Sequence, residues 1–218
     1  MFVDGARRCS FDEGNVVTSI AVLDYGSGNI HSVSRALAAA GARAVVTADP
    51  TAVDEADALV IPGVGHFGAC LRGIREAGLE SPIRAYVQTG RPVFGVCVGM
   101  QVLFEGSEED SEVGFGLLEG SSRRLPGDTV KVPHMGWNTV RWTTPHPYTR
   151  GITEGTRFYF VHSFAPDVGK ATIGTTEHGR PFSAVVARDN VFATQFHPEK
   201  SGEAGLQLYR NFVRAVAA

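Results

Sequence analysis

The chain has 218 residues, of which 43% are hydrophobic and 20% are charged. This balance is typical of a folded globular protein and excludes disorder over most of the length. Lysine and arginine number 20 against 23 acidic residues, a formal net charge of −3, and no basic block occurs, so no nucleic-acid partner is expected. No apolar run approaches the ~20 residues that span a bilayer, so no membrane partner is expected either.

Domain organisation and compartment follow from the same reading. Domains usually hold about 100–200 residues, so residues 19–218 are predicted to form one domain. Residues 1–18 carry two adjacent arginines without the apolar stretch of a secretory signal, and they are predicted to form a mobile N-terminal extension. The three cysteines are too few and too scattered for a disulfide framework, which indicates a reducing compartment and, by default, the cytoplasm.

The first half of the chain alternates predicted strands and helices. Residues 19–25 form a short apolar run before Gly26-Ser27-Gly28, a pattern typical of a buried strand and a tight turn. A helix follows, which Asn29 is expected to cap. Further strands are predicted at residues 44–46, 58–61 and 92–96, and further helices at residues 67–77, at residues 82–88 and directly after Cys97.

The second half is dominated by strand-like runs separated by turn signals. These runs are residues 139–142, 157–164, 171–175, 183–187 and 191–196, and a last helix starts near Ser201. Strand–helix alternation argues for a parallel sheet that helices cover on both faces. The predicted fold class is therefore α/β: an open, mostly parallel sheet flanked by helices, with an added antiparallel strand region in the second half.

The strongest local signal is Gly-x-Cys-x-Gly at residues 95–99, between a predicted strand and a predicted helix. This is the cysteine form of a nucleophile elbow, in which flanking glycines remove the Cβ atoms that a sharp turn cannot accommodate. A helix N-terminus favours the thiolate, and the carboxyl end of a strand is where sites of α/β sheets lie. Cys97 is therefore predicted to be a nucleophile, whereas Cys9 and Cys70 are interpreted as ordinary core or surface cysteines.

A cysteine nucleophile needs a base, and the base needs an orienting group. His197 follows a predicted strand, and Glu199 is two residues further along. In extended backbone such residues point to the same side, so Glu199 can fix the tautomer of His197. His-x-Glu spacing alone is weak, and the alternative is a surface histidine beside a solvated glutamate.

Acyl transfer also needs donors for the developing oxyanion. The elbow geometry assigns one to the backbone N–H of Val98. The loop Pro62-Gly63-Val64-Gly65 follows another predicted strand, so Gly63 and Val64 are candidates for the second donor, although an ordinary strand-to-helix turn explains the same residues.

Other chemistries lack their motifs. The sequence contains no GxxxxGK[ST] loop, no complete dinucleotide fingerprint, no Cys-x-x-Cys and no HExxH. No metal and no cofactor are therefore expected.

Residues 95–101, GVCVGMQ, and residues 195–201, QFHPEKS, together resemble the class I (triad-type) glutamine amidotransferases over roughly residues 19–216. The resemblance implies a triad of Cys97, His197 and Glu199 that hydrolyses glutamine to glutamate and ammonia through a γ-glutamyl thioester. It also implies that Gln101 and the strand with His162 and Ser163 hold the glutamine.

Further motifs are similar to the glutaminase subunits of imidazole glycerol phosphate synthases, a hydrolase activity within a lyase of histidine biosynthesis. These motifs are DYGSGN at 24–29, PGVGHF at 62–67, PHMGWN at 133–138 and YFVHS at 159–163. The resemblance implies a heterodimer with a (β/α)8 cyclase barrel that receives the ammonia. The residues assigned to this partner surface are Lys200, Trp137, Met135, Asn138 and Asn29, with core packing as the alternative for Trp137 and Met135.

Three other functions fit parts of the sequence. The chain could serve another ammonia-using synthase, such as that of pyridoxal phosphate synthesis, or act alone as a cysteine amidase, peptidase or γ-glutamyl hydrolase. An inactive amidotransferase fold that serves as a binding module is disfavoured, since Cys97, His197 and Glu199 are all present.

Overall fold

The structure is a computed structural model, and it describes residues 17–218. All but the last two residues of the predicted N-terminal extension, and Cys9 with them, lie outside the described residues. The division at residue 18 stays a prediction.

Residues 17–218 contain six α-helices and thirteen β-strands. The helices are α1 Ile30–Ala39, α2 Pro50–Glu55, α3 Phe67–Glu76, α4 Glu80–Gln88, α5 Val98–Gln101 and α6 Gly202–Val216. The strands are β1 Ser19–Leu23, β2 Arg43–Thr47, β3 Ala58–Gly63, β4 Val93–Cys97, β5 Gly106–Ser107, β6 Ser121–Arg124, β7 His134–Thr139, β8 Arg141–Trp142, β9 Arg157–His162, β10 Phe164–Pro166, β11 Thr172–Glu177, β12 Pro181–Arg188 and β13 Val191–Thr194.

The main sheet has eight strands in the order β2-β1-β3-β4-β13-β12-β11-β8. The first five strands in this order, β2, β1, β3, β4 and β13, pair in parallel, and β12, β11 and β8 add an antiparallel edge. The predicted fold class is confirmed. Every residue of β3, β4 and β13 is buried, as expected of central parallel strands that are covered on both faces.

Two small sheets complete the second half. One pairs β7 with β9, and the other has the order β10-β6-β5. The predicted strand at 139–142 is wrong as a single element, because the chain leaves β7 at Thr139 and joins the main sheet as β8. The predicted strand at 157–164 likewise divides at Ser163 into β9 and β10.

Helix α2 was absent from the sequence prediction, although its signal was present. Asp49 occupies the N-cap, its Oδ1 accepts the N–H of Thr51 at 2.9 Å, and Pro50 is the first helical residue. An Asp-Pro start would have identified this helix.

The parallel register brings three strand ends to one edge of the main sheet. Gly63 lies opposite Cys97 at the ends of β3 and β4, and Thr194 of β13 lies opposite Val96. The residues that follow β3, β4 and β13 therefore meet at the carboxyl edge, where open α/β sheets place their sites.

Candidate active site

Cys97 ends β4 in a backbone conformation that L-residues seldom adopt, with φ 56° and ψ −113°. The turn into α5 is tight enough to require its glycines. A Cβ on Gly99 would lie 1.9 Å from the carbonyl oxygen of Ile61, and one on Gly95 would lie 2.7 Å from the carbonyl oxygen of Gly99. The elbow geometry that the glycine spacing predicts is thus present, and Cys97 is only 2% exposed.

His197 and Glu199 contact each other, with His197 Nδ1 and Glu199 Oε1 2.7 Å apart. Since the carboxylate only accepts, Nδ1 donates and Nε2 is left for Cys97. The predicted backbone between them is wrong in detail, because a 3₁₀ turn over Pro198–Lys200 replaces the extended run. Both side chains are buried, which shields the contact from water.

The backbone of His197 is fixed on two sides. Its N–H donates to the carbonyl of Tyr159 on β9 at 3.0 Å. Its carbonyl accepts the hydroxyl of Ser201 at 2.6 Å, and the Ser201 oxygen in turn accepts the N–H of Tyr159. These bonds tie the end of β13 in the main sheet to the small β7–β9 sheet, so the backbone of His197 is held by both sheets.

The charge state of His197 depends on its two neighbours. Burial alone would lower the pKa of His197, but attraction to the Cys97 thiolate and the hydrogen bond to Glu199 outweigh burial and raise it to about 10. Within the described residues, the His197 Nε2 has no hydrogen-bond partner. Catalytic contacts commonly tighten only when substrate binds.

Asn29 reaches the carboxylate of Glu199, from which it is 170 residues away in sequence. Its Nδ2 donates to Glu199 Oε1 at 3.1 Å. The expectation that its side chain caps α1 is wrong, because Asn29 occupies the N-cap but makes no side-chain cap bond. The amide is instead used to hold Glu199.

A cavity of about 490 Å³ opens in front of Cys97. Nine predicted site residues contribute to its lining, namely Cys97, His197, Val98, Val64, Gln101, His162, Ser163, Lys200 and Asn29. Gly63 does not line the cavity, and it packs against the start of α5, where an added Cβ would stand 2.2 Å from the N of Gly99. Glu109 also lines the cavity, and sequence analysis missed it.

Side chains donate hydrogen bonds to backbone carbonyl groups at the end of β3 and in the loop that follows it. The Tyr25 hydroxyl donates to the carbonyl of Pro62. The carbonyl of Val64 accepts the Ser27 hydroxyl at 2.9 Å and the Cys70 thiol at 3.5 Å. Cys70 is fully buried as expected, yet it is also bonded to this loop, and burial raises the pKa of its thiol.

Gln195 is a second residue that sequence analysis missed. Its Nε2 lies 3.7 Å from the Cys97 sulfur, within reach of a weak N–H···S bond, and its Oε1 accepts Gln101 Nε2 at 3.0 Å. Gln101 Nε2 also donates to the carbonyl of Phe164 at 3.0 Å. Only the register of β13 beside β4 brings Gln195 to the sulfur, so no local pattern could have identified this contact.

The residues predicted at a partner surface occupy two places. Lys200 is exposed at the cavity. Met135 and Trp137 on β7 are 64% and 52% exposed, so they do not pack in the core. The side-chain amide of Asn138 is hydrogen-bonded to the ring of His134 and to the carbonyl of Glu177.

None of the helices within residues 17–218 is both long and apolar enough to span a bilayer. The His, Cys, Asp and Glu side chains of the same residues form no group of three or more that could hold a metal ion.

The comparisons with known proteins agree with this geometry. The family described as "Glutamine amidotransferase class-I" matches residues 21–216. The imidazole glycerol phosphate synthase subunit HisH of Chromobacterium violaceum is 47% identical, and the alignment covers 89% of this chain and 96% of that protein. The HisH subunit of Acinetobacter baylyi is 46% identical, with 90% and 98% covered.

A solved structure, PurLQS from Thermotoga maritima, matches with a TM-score of 0.73 at 20% identity and covers 91% of this chain and 99% of its own. At that identity the likeness extends to the fold alone. The family match and the close relatives confirm the resemblance drawn from the motifs, and the chain belongs to the class I glutamine amidotransferases.

Proposed function

We propose that this chain is the glutaminase subunit of an imidazole glycerol phosphate synthase and supplies ammonia for histidine biosynthesis. The observation that carries the proposal is the buried row of Cys97, His197 and Glu199 at the mouth of a cavity large enough for an amino acid. Relatives that bear the name of this synthase share nearly half of their residues with the chain.

The proposed reaction starts from a thiolate–imidazolium pair. We assign the nucleophile to the Cys97 thiolate and the proton to His197, which Glu199 orients and whose raised pKa keeps the imidazole protonated near neutral pH. The Cys97 sulfur attacks the side-chain carbonyl carbon of glutamine and forms a tetrahedral intermediate. The protonated imidazole then gives its proton to the departing nitrogen, and ammonia leaves behind a γ-glutamyl thioester.

The second half of the reaction is hydrolysis. Neutral His197 takes a proton from water, the hydroxide attacks the thioester carbonyl, and glutamate leaves as Cys97 regains its thiolate. The backbone N–H of Val98 and a donor from Gly63 or Val64 are assigned to the oxyanion in both halves. Because one such donor is worth on the order of 10²–10³ in rate, the loop at Gly63 and Val64 is suited to gate the reaction.

The cavity lining suits free glutamine. Glu109 Oε2 accepts the N–H of Phe67 at 2.8 Å, which leaves Oε1 for the α-ammonium group of the substrate. Gln101, His162 and Ser163 line the cavity, and we assign them to the side chain and backbone of glutamine.

We assign the synthase chemistry to a partner subunit, a (β/α)8 cyclase barrel. Lys200 at the cavity and the exposed Met135 and Trp137 on β7 support docking at the open side of the site, with Asn138 and Asn29 at its margin. An exposed ion pair from Lys200 contributes about 0–1 kcal/mol, so the apolar side chains carry most of the expected affinity.

The test is ammonia release from glutamine, measured for the chain alone, with the barrel subunit, and with the barrel plus its ribonucleotide ligand. A gated glutaminase predicts little activity alone and a large rise in the full mixture. Cys97→Ala, which removes the sulfur, should abolish ammonia release.

Each contrary result identifies a different error. Full activity alone that the barrel does not change would favour a stand-alone amidase and reject the partner. Activation by the components of another synthase would reassign the pathway. Ammonia release that survives Cys97→Ala would reject the triad.

A further inference from the structure

Three histidines cluster beneath the β7–β9 sheet, and the proposed reaction uses only His162 at the cavity wall. His134 on β7 and His162 on β9 are both buried, with His134 Nδ1 and His162 Nε2 3.0 Å apart. His178 stacks on His134 at a ring-centre distance of 4.1 Å.

The hydrogen-bond direction within this cluster is fixed from its inner end. His162 Nδ1 lies 2.9 Å from the carbonyl oxygen of Phe164, which can only accept, so Nδ1 carries the proton. In a neutral ring Nε2 is then an acceptor, and His134 Nδ1 must donate to it. Burial lowers the pKa of both rings, of His162 to about 3 and of His134 to about 4, so both are neutral near pH 7.

At the outer end of the cluster, the hydrogen bonds of Asn138 run in the same direction. With its proton on Nδ1, His134 accepts at Nε2, and Asn138 Nδ2 lies 3.2 Å away. The orientation of the Asn138 amide is independently set, since Nδ2 also donates to the carbonyl of Glu177 and Oδ1 accepts the N–H of Thr139.

The inner end continues to the nucleophile. The Phe164 carbonyl that accepts His162 also accepts Gln101 Nε2. The second hydrogen of Gln101 Nε2 goes to Gln195 Oε1, and Gln195 Nε2 lies against the Cys97 sulfur. An unbroken series of contacts therefore joins Asn138 at the surface of β7 to the sulfur, with one consistent assignment of every donor and acceptor.

We propose that His134 is a positioning residue for the active site: by donating Nδ1–H to the buried Nε2 of His162 it holds that ring against the Phe164 carbonyl, and through this carbonyl it holds Gln101 in place. This role rests on the proposed function, because Gln101 and His162 are assigned to glutamine. Without the N–H of His134, the buried Nε2 lone pair of His162 has no partner. The cavity wall can then relax only if His162 moves or takes up a proton.

The test compares two substitutions of His134 with a control. His134→Leu removes the donor, whereas His134→Asn places an amide N–H close to the position of Nδ1. His178→Leu removes the stacked ring but leaves the series intact. Glutamine hydrolysis is measured with the activating barrel subunit, together with the ¹⁵N signals of the histidine rings.

We expect His134→Leu to raise the KM for glutamine about tenfold with a smaller change in kcat, the size expected for one unpartnered buried acceptor. His134→Asn should recover most of this loss, and His178→Leu should leave KM unchanged. In the unsubstituted protein the ring signals should show His162 protonated at Nδ1 and bare at Nε2.

Equal losses in the leucine and asparagine variants would overturn the proposal, and so would a loss in stability with no change in KM. A proton on His162 Nε2 in the unsubstituted protein would overturn it even if His134→Leu does not fold. Should no form hydrolyse glutamine, the proposed function fails, while the ring signals still decide the direction of the series.

Discussion

The backbone of Cys97 carries a stability cost that can be measured apart from catalysis. With φ at 56° and ψ at −113°, any side chain with a Cβ is strained there, by about 1–3 kcal/mol. The strain is present in a Cys97→Ala variant and absent from a Cys97→Gly variant. The change from Ala to Gly at this position also adds chain entropy to the unfolded state and removes a buried methyl group. The strain therefore has to be isolated from these two losses.

Ala193 provides the matched position. It is fully buried on β13, directly opposite Gly95 of β4, and its φ is not positive. The change from Ala193 to Gly incurs the same two losses without strain relief. The step from Cys97→Ala to Cys97→Gly should thus be more favourable than Ala193→Gly by the strain alone, about 1–3 kcal/mol.

Urea unfolding of the four proteins measures both steps, and the sulfur is missing from both variants at position 97, so its charge cancels. A difference of 1 kcal/mol corresponds to roughly 2–4 °C in Tm for a chain of this size. If both Ala-to-Gly steps cost the same, the elbow is unstrained and the reasoning is refuted.

Three other predictions concern charge and packing. Cys97→Ala should lower the pKa of His197 from about 10, since the thiolate attraction disappears, and an NMR titration that finds it unchanged would refute the ion pair. The pKa of His134 is about 4 in the folded protein and about 6.5 in the unfolded chain, so its contribution to stability is complete above pH 6.5 and is lost progressively as pH falls to about 4. Between pH 7 and 5 this group should lower the free energy of unfolding by about 2 kcal/mol, and because His162, with a pKa of about 3, acts over the same range, His134→Leu should reduce the slope without removing it. Gly99→Ala should prevent folding because its Cβ meets backbone at 1.9 Å, whereas Gly169→Ala, which meets nothing within 4 Å, should fold normally; a soluble Gly99→Ala chain would contradict the packing.

The sequence predicted most of what depends on local pattern. The apolar runs and glycine turns identified β1, β3 and β4, and the glycines around Cys97 identified the elbow, because tight turns and buried strands restrict residue types locally. The strand β6 escaped prediction because Ser121–Arg124 has little intrinsic strand preference. It is held by pairing with β10 and by the Glu108 carboxylate, which accepts the N–H of Arg124 at 2.8 Å.

The parts of the site that were missed depend on tertiary contacts. Asn29 meets Glu199 across nearly the whole chain, and Gln195 meets Cys97 across two strands. His134 looked like one polar residue in the PHMGWN motif, yet it is buried with an assigned tautomer. None of these contacts leaves a spacing that a single sequence can display, since each joins residues that only the tertiary fold brings together.

Strand register also explains why the end of β13 can serve packing and chemistry together. Side chains alternate beyond Thr194, so Gln195 and His197 face Cys97 while Phe196 faces away. Phe196 stacks on Phe158 with ring centres 4.1 Å apart, which anchors the alternation in the core. A one-residue slip would exchange the two faces, burying an amide among aromatic rings and withdrawing His197 from Cys97. The aromatic contact of Phe196 and the placement of Gln195 and His197 beside Cys97 therefore select the same register, and neither could be changed without the other.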